Sequence, residues 1–161
     1  LEQFVSTQTI QGPVILRGEG EGGTLTVLGN AITRTVTSDD SGGELMILTY
    51  TAPAGLAGPP PHVHAHTDEA FHVLAGTLTM TAGGEVHRAD AGGTVFVPRG
   101  VAHTFANPDP KAVTMLVIMT PGGFEGYFAE LAELVDAGLH VDPDAVAAVQ
   151  ARYDLAPLVA S

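Results

Sequence analysis

From residue 12 to about 120 the chain is a succession of short apolar or alternating runs, each closed by turn residues: GPVILR, GTLTVLG, NAITRTVT, GELMILTYTAP, EAFHVLAG, TLTMTAG, GTVFVPR and AVTMLVIMT. Runs of this length, rich in Val, Ile, Thr, Leu and Phe and punctuated by Gly-Gly or Gly-Asn, suit strands better than helices. Their close spacing predicts an all-β antiparallel sandwich or barrel over residues 1–120. The run LMIL (45–48) is apolar on both faces, as in a strand covered on both sides or at a dimer contact.

After residue 121 the period changes. Phe124, Phe128, Leu131, Leu134 and Val135 fall on one stripe of a helix. A second helix is predicted to begin at DPDAVAAVQARY, with Asp142 as N-cap and Pro143 at the first helical position. The C-terminal segment, 121–161, is therefore expected to be helical and to cover a flank of the β core or a subunit contact. At 161 residues the whole reads as a single domain, 1–161.

Charge narrows the function. Six basic residues stand against 18 acidic ones, a formal net charge of −12. The overall field repels nucleic acid, and the single lysine, Lys111, and the arginines Arg17, Arg34, Arg88, Arg99 and Arg152 form no cluster to offset it. Phosphorylated or polycarboxylate substrates are disfavoured for the same reason. The longest nearly apolar run, AVTMLVIM (112–119), is too short to span a bilayer, and the first twenty residues lack the basic-then-apolar layout of a secretory signal. No membrane association and a cytoplasmic location are the expectations.

Four of the seven histidines lie in PPPHVHAHTDEAFHVLAG (59–76). Side chains alternate along a strand, so His62 and His64 face the same way. HTDE then argues for a turn, because Asp is a poor strand-interior residue. The strand resumes near Glu69, whose face also carries Phe71 and Val73. With Phe71 and Val73 in the core, parity groups His62, His64 and Glu69, leaves His66 and Asp68 on the turn, and puts His72 on the opposite face. In GGTVFVPRGVAHTFANPD (92–109) a strand ends at Pro98, PRG turns the chain, and a new strand carries His103, with Phe105 and Asn107 on its face. A further imidazole from such a hairpin is what a three-His, one-carboxylate centre needs.

These two stretches resemble the motifs of the cupin superfamily. The first motif, His-x-His, Glu after four intervening residues and Gly after six more, is matched by His62, His64, Glu69 and Gly76. Its leading glycine, six positions before the first histidine, is replaced by Leu56, with Gly55 and Gly58 nearby. The second motif is matched throughout by Gly92, Pro98, Gly100, His103 and Asn107. The resemblance is strong over residues 40–120, and TPGGFEGYFAEL with its helical tail resembles bacterial single-domain cupins described as quercetin-dioxygenase-like. It implies a jelly-roll β-barrel with C-terminal helices, a metal inside one mouth held by His62, His64, Glu69 and His103, and a homodimer. Glu69 in such proteins serves as ligand, base or both. Gly76, Gly92 and Gly100 are assigned to turns, Asn107 to local order, and Arg99 to solvent. Phe71, Phe105, Met80, Met115 and Met119 are core residues that in a small barrel can also line the pocket.

Three imidazoles and a carboxylate suit one divalent ion of Fe, Mn, Co, Ni, Cu or Zn, and an octahedral ion so held keeps two positions open. The leading expectation is a dioxygenase that cleaves a neutral, apolar hydroxylated aromatic or β-dicarbonyl-like compound, with Glu69 as base. The rival expectations are a non-oxidative isomerase, epimerase or lyase, and a non-catalytic small-molecule binding or sensor protein.

Overall fold

The computed structural model describes residues 13–158. Eleven strands and three helices are found among them. In chain order they are β1 (Thr24–Val27), β2 (Asn30–Val36), α1 (Ser38–Ser41), β3 (Met46–Ala52), β4 (His62–Val63), β5 (Asp68–Ala75), β6 (Thr77–Ala82), β7 (Glu85–Asp90), β8 (Thr94–Val97), β9 (His103–Ala106), β10 (Val113–Thr120), α2 (Glu125–Asp136), α3 (Pro143–Gln150) and β11 (Ala156–Pro157).

The strands form two antiparallel sheets, ordered β1-β2-β3-β10-β5-β8 and β11-β4-β9-β6-β7. Together they make a jelly-roll sandwich, not a closed barrel, and the expectation of closure is corrected here: β8 and β7 end their respective sheets without pairing to each other. The core lies between the inner faces, and period-2 alternation builds it. Met46, Leu48, Tyr50 and Ala52 on β3 point inward, as do Val113, Met115, Val117 and Met119 on β10. The register sets Val117 beside Leu48 and Phe71, so the inner residues of three strands fall into rows. Leu78 and Met80 on β6 and Phe105 on β9 face them from the second sheet.

Two glycine-dependent features shape the approach to the site. Leu28 and Gly29, both at positive φ (49° and 84°), close the two-residue turn between β1 and β2, the backbone geometry that matches strand twist in a hairpin. Gly58 (φ 83°) lies so close to β9 that a Cβ there would sit 1.6 Å from the carbonyl oxygen of Phe105. Gly58, two positions after the Leu56 that replaces the first motif's leading glycine, makes this close approach, while Leu56 bridges Asn107.

Both C-terminal helices form as expected. Phe124 precedes α2 and is buried, and Phe128, Leu131 and Val135 pack on the core. The Asp142 carboxylate accepts from the N–H groups of Asp144 and Ala145 at the start of α3. Other expectations fail. GPVILR forms no strand over 13–17, where Val14 and Leu16 stand almost fully exposed and pair with no strand among the described residues. Its first residue, the remainder of the N-terminal segment and the reading of a missing secretory layout lie outside the described residues. The segment EVHRAD, read as no element, is the edge strand β7, which is exposed except at Ala89 and so carries no alternation. LMIL is covered on one face: Met46 and Leu48 are buried, Leu45 and Ile47 half-buried.

Candidate metal centre

Each donor is delivered by a strand end at one edge of the sandwich. His62 on β4 pairs directly with His103 on β9. A turn after His64 returns the chain to β5, where Glu69 ends the inner row that continues with Phe71 and Val73. The parity shift read from the sequence between residues 64 and 69 is therefore real. All four side chains are buried, at 6, 2, 7 and 3% exposure for His62, His64, Glu69 and His103, and one ligand atom from each lies within 4.8 Å of the others. His66 is exposed on the turn, and His72 faces outward, its Nδ1 bonded to the Thr94 hydroxyl at 2.8 Å. Asp68 holds the turn by pairing with Arg99, whose main-chain N–H and guanidinium both donate to its carboxylate. Arg99 is exposed in its turn, as expected, and its pairing with Asp68 holds the Asp68 carboxyl down at about 2.

Orientation of the rings decides what they can bind. Nδ1 of His62 lies 2.9 Å from the carbonyl of Pro60, and Nδ1 of His103 lies 3.0 Å from that of Val101, in each case two residues back. Nδ1 of His64 lies 2.7 Å from the carbonyl of Asp154. A carbonyl oxygen only accepts, so each Nδ1 carries the hydrogen and each Nε2 presents its lone pair inward. The Glu69 carboxylate meets these lone pairs: its Oε2 is 3.0 Å from Nε2 of His103 and 3.6 Å from Nε2 of His64. Four electron-pair donors converging in a buried space need an electrophile among them. In the metal-free protein a proton between His103 and Glu69 serves. Burial works against the charged ring of His103, but the bonds to Glu69 and Val101 outweigh it and raise its pKa. His62 has no such partner, and burial pushes it down to about 4, so it stays neutral and able to ligate at neutral pH. This donor set fits one divalent transition ion, which would be held by His62, His64, His103 and Glu69.

A cavity of about 350 Å³ opens beside the centre, between the sandwich and the C-terminal helices. His62 is the donor that reaches its wall. Tyr50, Phe105, Phe128 and Leu131 line it, and no Lys, Arg, Asp or Glu does among the described residues. Of the residues read as pocket lining, Phe105 is there, whereas Phe71, Met80 and Met115 lie in the closed core at 0–1% exposure. Burial pushes the Tyr50 phenol pKa up, which keeps it a neutral hydrogen-bond donor. The sequence reading did not anticipate Tyr50, nor the role of Asp154, which comes to His64 from 90 positions away. Tyr50 could have been found from β3 parity, since it shares the inner face of Leu48; Asp154 left no signal.

Residues 48–119 match the cupin domain family. No curated protein sequence matches the chain significantly. Among solved structures, the chain is similar to KdgF from Halomonas sp. (TM-score 0.61, 18% identity, covering 71% of this chain and 99% of that one). It is also similar to the polyketide cyclase RemF from Streptomyces resistomycificus (TM-score 0.58, 16% identity, 67% and 80% coverage). A third is a sugar phosphate isomerase from a cupin superfamily from Silicibacter pomeroyi (TM-score 0.51, 22% identity, 66% and 67% coverage). Both motifs and the donors converged at one end of a jelly roll thus fall within or beside a stretch, residues 48–119, that is similar to the cupin domain, and the solved structures share its fold.

Proposed function

We propose that the protein is a metal-dependent dioxygenase acting on a small, neutral, apolar compound with an acidic hydroxyl, such as a hydroxylated aromatic or a β-dicarbonyl enol. The observation that carries this reading is the uncharged cavity ending at His62. A phosphate or second carboxylate lying along the cavity, away from an ion in the centre, would lose its water without meeting a cationic side chain among the described lining residues, which costs roughly several kcal/mol. An aromatic ring instead meets Phe105, Phe128 and Leu131, and the Tyr50 hydroxyl is available to orient a polar substituent.

A divalent ion held by His62, His64, His103 and Glu69 would supply Lewis-acid polarisation of the substrate oxygen. Glu69 takes the hydroxyl proton, and the apolar walls exclude the water that would compete for it. The resulting enolate is the electron-rich partner for dioxygen. Both oxygen atoms enter the cleaved product, so the electron balance closes without a separate reductant.

The test is an oxygen-electrode assay of metal-reconstituted protein with flavonols and 1,3-diketones. Oxygen uptake in step with substrate loss is expected, with Glu69→Gln slower by about 10²–10⁴-fold. Substrate conversion without oxygen uptake would replace the oxidative reading with a non-oxidative one, and binding without conversion would leave a binding protein.

A further inference from the structure

The loop between His64 and Glu69 spans residues 65–68, and any looseness in it is transmitted to two donors at once. Its polar groups are held from a distance. The main-chain N–H groups of Ala65 and His66 donate to the Asp154 carboxylate at 3.0 and 2.8 Å, and the Thr67 hydroxyl donates to the same carboxylate at 2.9 Å. The Asp154 carbonyl oxygen accepts from Nδ1 of His64. A single residue therefore gathers three donors of the loop with its side chain and fixes the ring of the adjoining ligand with its backbone. Bonds to a carboxylate are stronger than bonds to a neutral acceptor, which suits it to the task.

Asp154 is itself held firmly. Its backbone sits at φ 50°, a left-handed conformation that Asp tolerates better than most residues. Immediately before it, Arg152 and Tyr153 both donate to Glu130 on α2. Immediately after it, β11 pairs with β4, with Ala156 beside Val63 and Pro157 beside His62. The C-terminal segment thus lies along the ligand strand, with Asp154 at the point where that strand gives way to the loop.

We propose that Asp154 is a positioning residue for the metal centre, its carboxylate locking the 65–67 loop so that the donor atoms of His64 and Glu69 stay converged. The proposal rests on the reading of His62, His64, Glu69 and His103 as a metal centre. It assigns the C-terminal segment a part in metal binding as well as in walling the cavity, which Leu155 also lines.

Cobalt(II) serves as the probe, with affinity measured by chelator competition and the ligand field read from the visible absorption spectrum. Asp154→Gly removes the carboxylate yet accepts positive φ without strain, so the carbonyl can still meet His64. Its cobalt affinity is expected to fall about 10–100-fold with an altered spectrum. Asp154→Asn, which keeps one uncharged acceptor, is expected to recover part of that loss. Glu130→Gln loosens the segment that holds Asp154 but leaves its carboxylate in place, and is expected to lose clearly less cobalt affinity than Asp154→Gly. Unchanged affinity in Asp154→Gly, even with a lowered Tm of the metal-free protein, would overturn the proposal, as would an equal loss in Glu130→Gln. Failure of the parent protein to bind cobalt at all is a different result and overturns the metal-centre reading with it.

Discussion

Replacement of Asn107 by Asp should cost about 4 kcal/mol of folding stability at pH 7–8, although the two side chains have nearly the same volume. Asn107 is fully buried, and its amide nitrogen donates to the carbonyls of Lys111 and Pro53 at 2.8 and 2.9 Å, with Ala52 further off at 3.4 Å. Carbonyls only accept, so the nitrogen is fixed on that side and the amide closes the connection between β9 and β10. A carboxylate cannot donate. Two bonds of about 1 kcal/mol each are lost, and the carboxylate that replaces the fully buried amide is left without a donor, at roughly 2 kcal/mol or more. That is a large part of the roughly 5–15 kcal/mol typical of a domain. The new carboxyl can recover one bond by taking up a proton, which raises its folded pKa above the unfolded value of about 3.9. The recovered stability is then present at low pH and lost as pH rises through the folded pKa. Urea denaturation at pH 5.5 and pH 8 measures both effects. A loss below about 1 kcal/mol, within the range of an ordinary surface substitution, or a loss independent of pH, would refute the reasoning.

Three further outcomes are expected. The metal-free protein should lose about 3 kcal/mol of stability from His62 alone as pH falls from about 6.5 to 4, because the unfolded chain protonates this ring first while burial holds the folded pKa at about 4; a pH series of denaturation curves that stays equally steep in His62→Gln contradicts this. His72→Ala should leave bound metal unchanged, whereas His62→Ala and His64→Ala should release it, since His72 faces outward onto Thr94; elemental analysis of the three purified variants decides the matter. Leu131→Trp should fill the cavity and abolish substrate binding without reducing metal content, and normal turnover in that variant would mean that substrate reaches the centre by another route.

The candidate centre was legible because strand parity and motif spacing point to the same residues. Strand parity separates His62, His64 and Glu69 from His66 and His72, and the motif spacing adds His103. Parity likewise gave the inner row of β5, where one face is buried and the other is not. The same rule fails where that contrast is missing. Strand β7 is exposed except at Ala89 and reads as loop, while the apolar VIL of residues 14–16 reads as strand although it pairs with no strand among the described residues. Closure of the barrel depends on whether the β7 and β8 edges meet, and neither edge writes that into its own residues. Asp154 is the clearest omission: its partners are main-chain N–H groups of a loop 88 and 89 positions away, and any residue type at the loop would offer them.

Crystals grown with a saturating divalent transition ion, with data collected at that metal's absorption edge, test the central claim most directly. One anomalous peak per chain is expected, about 2.1 Å from Nε2 of each of His62, His64 and His103 and within coordinating distance of a Glu69 oxygen. Full occupancy by metal in solution together with a peak elsewhere, or a peak coordinated through Nδ1 with the bonds to Pro60, Asp154 and Val101 broken, would contradict it.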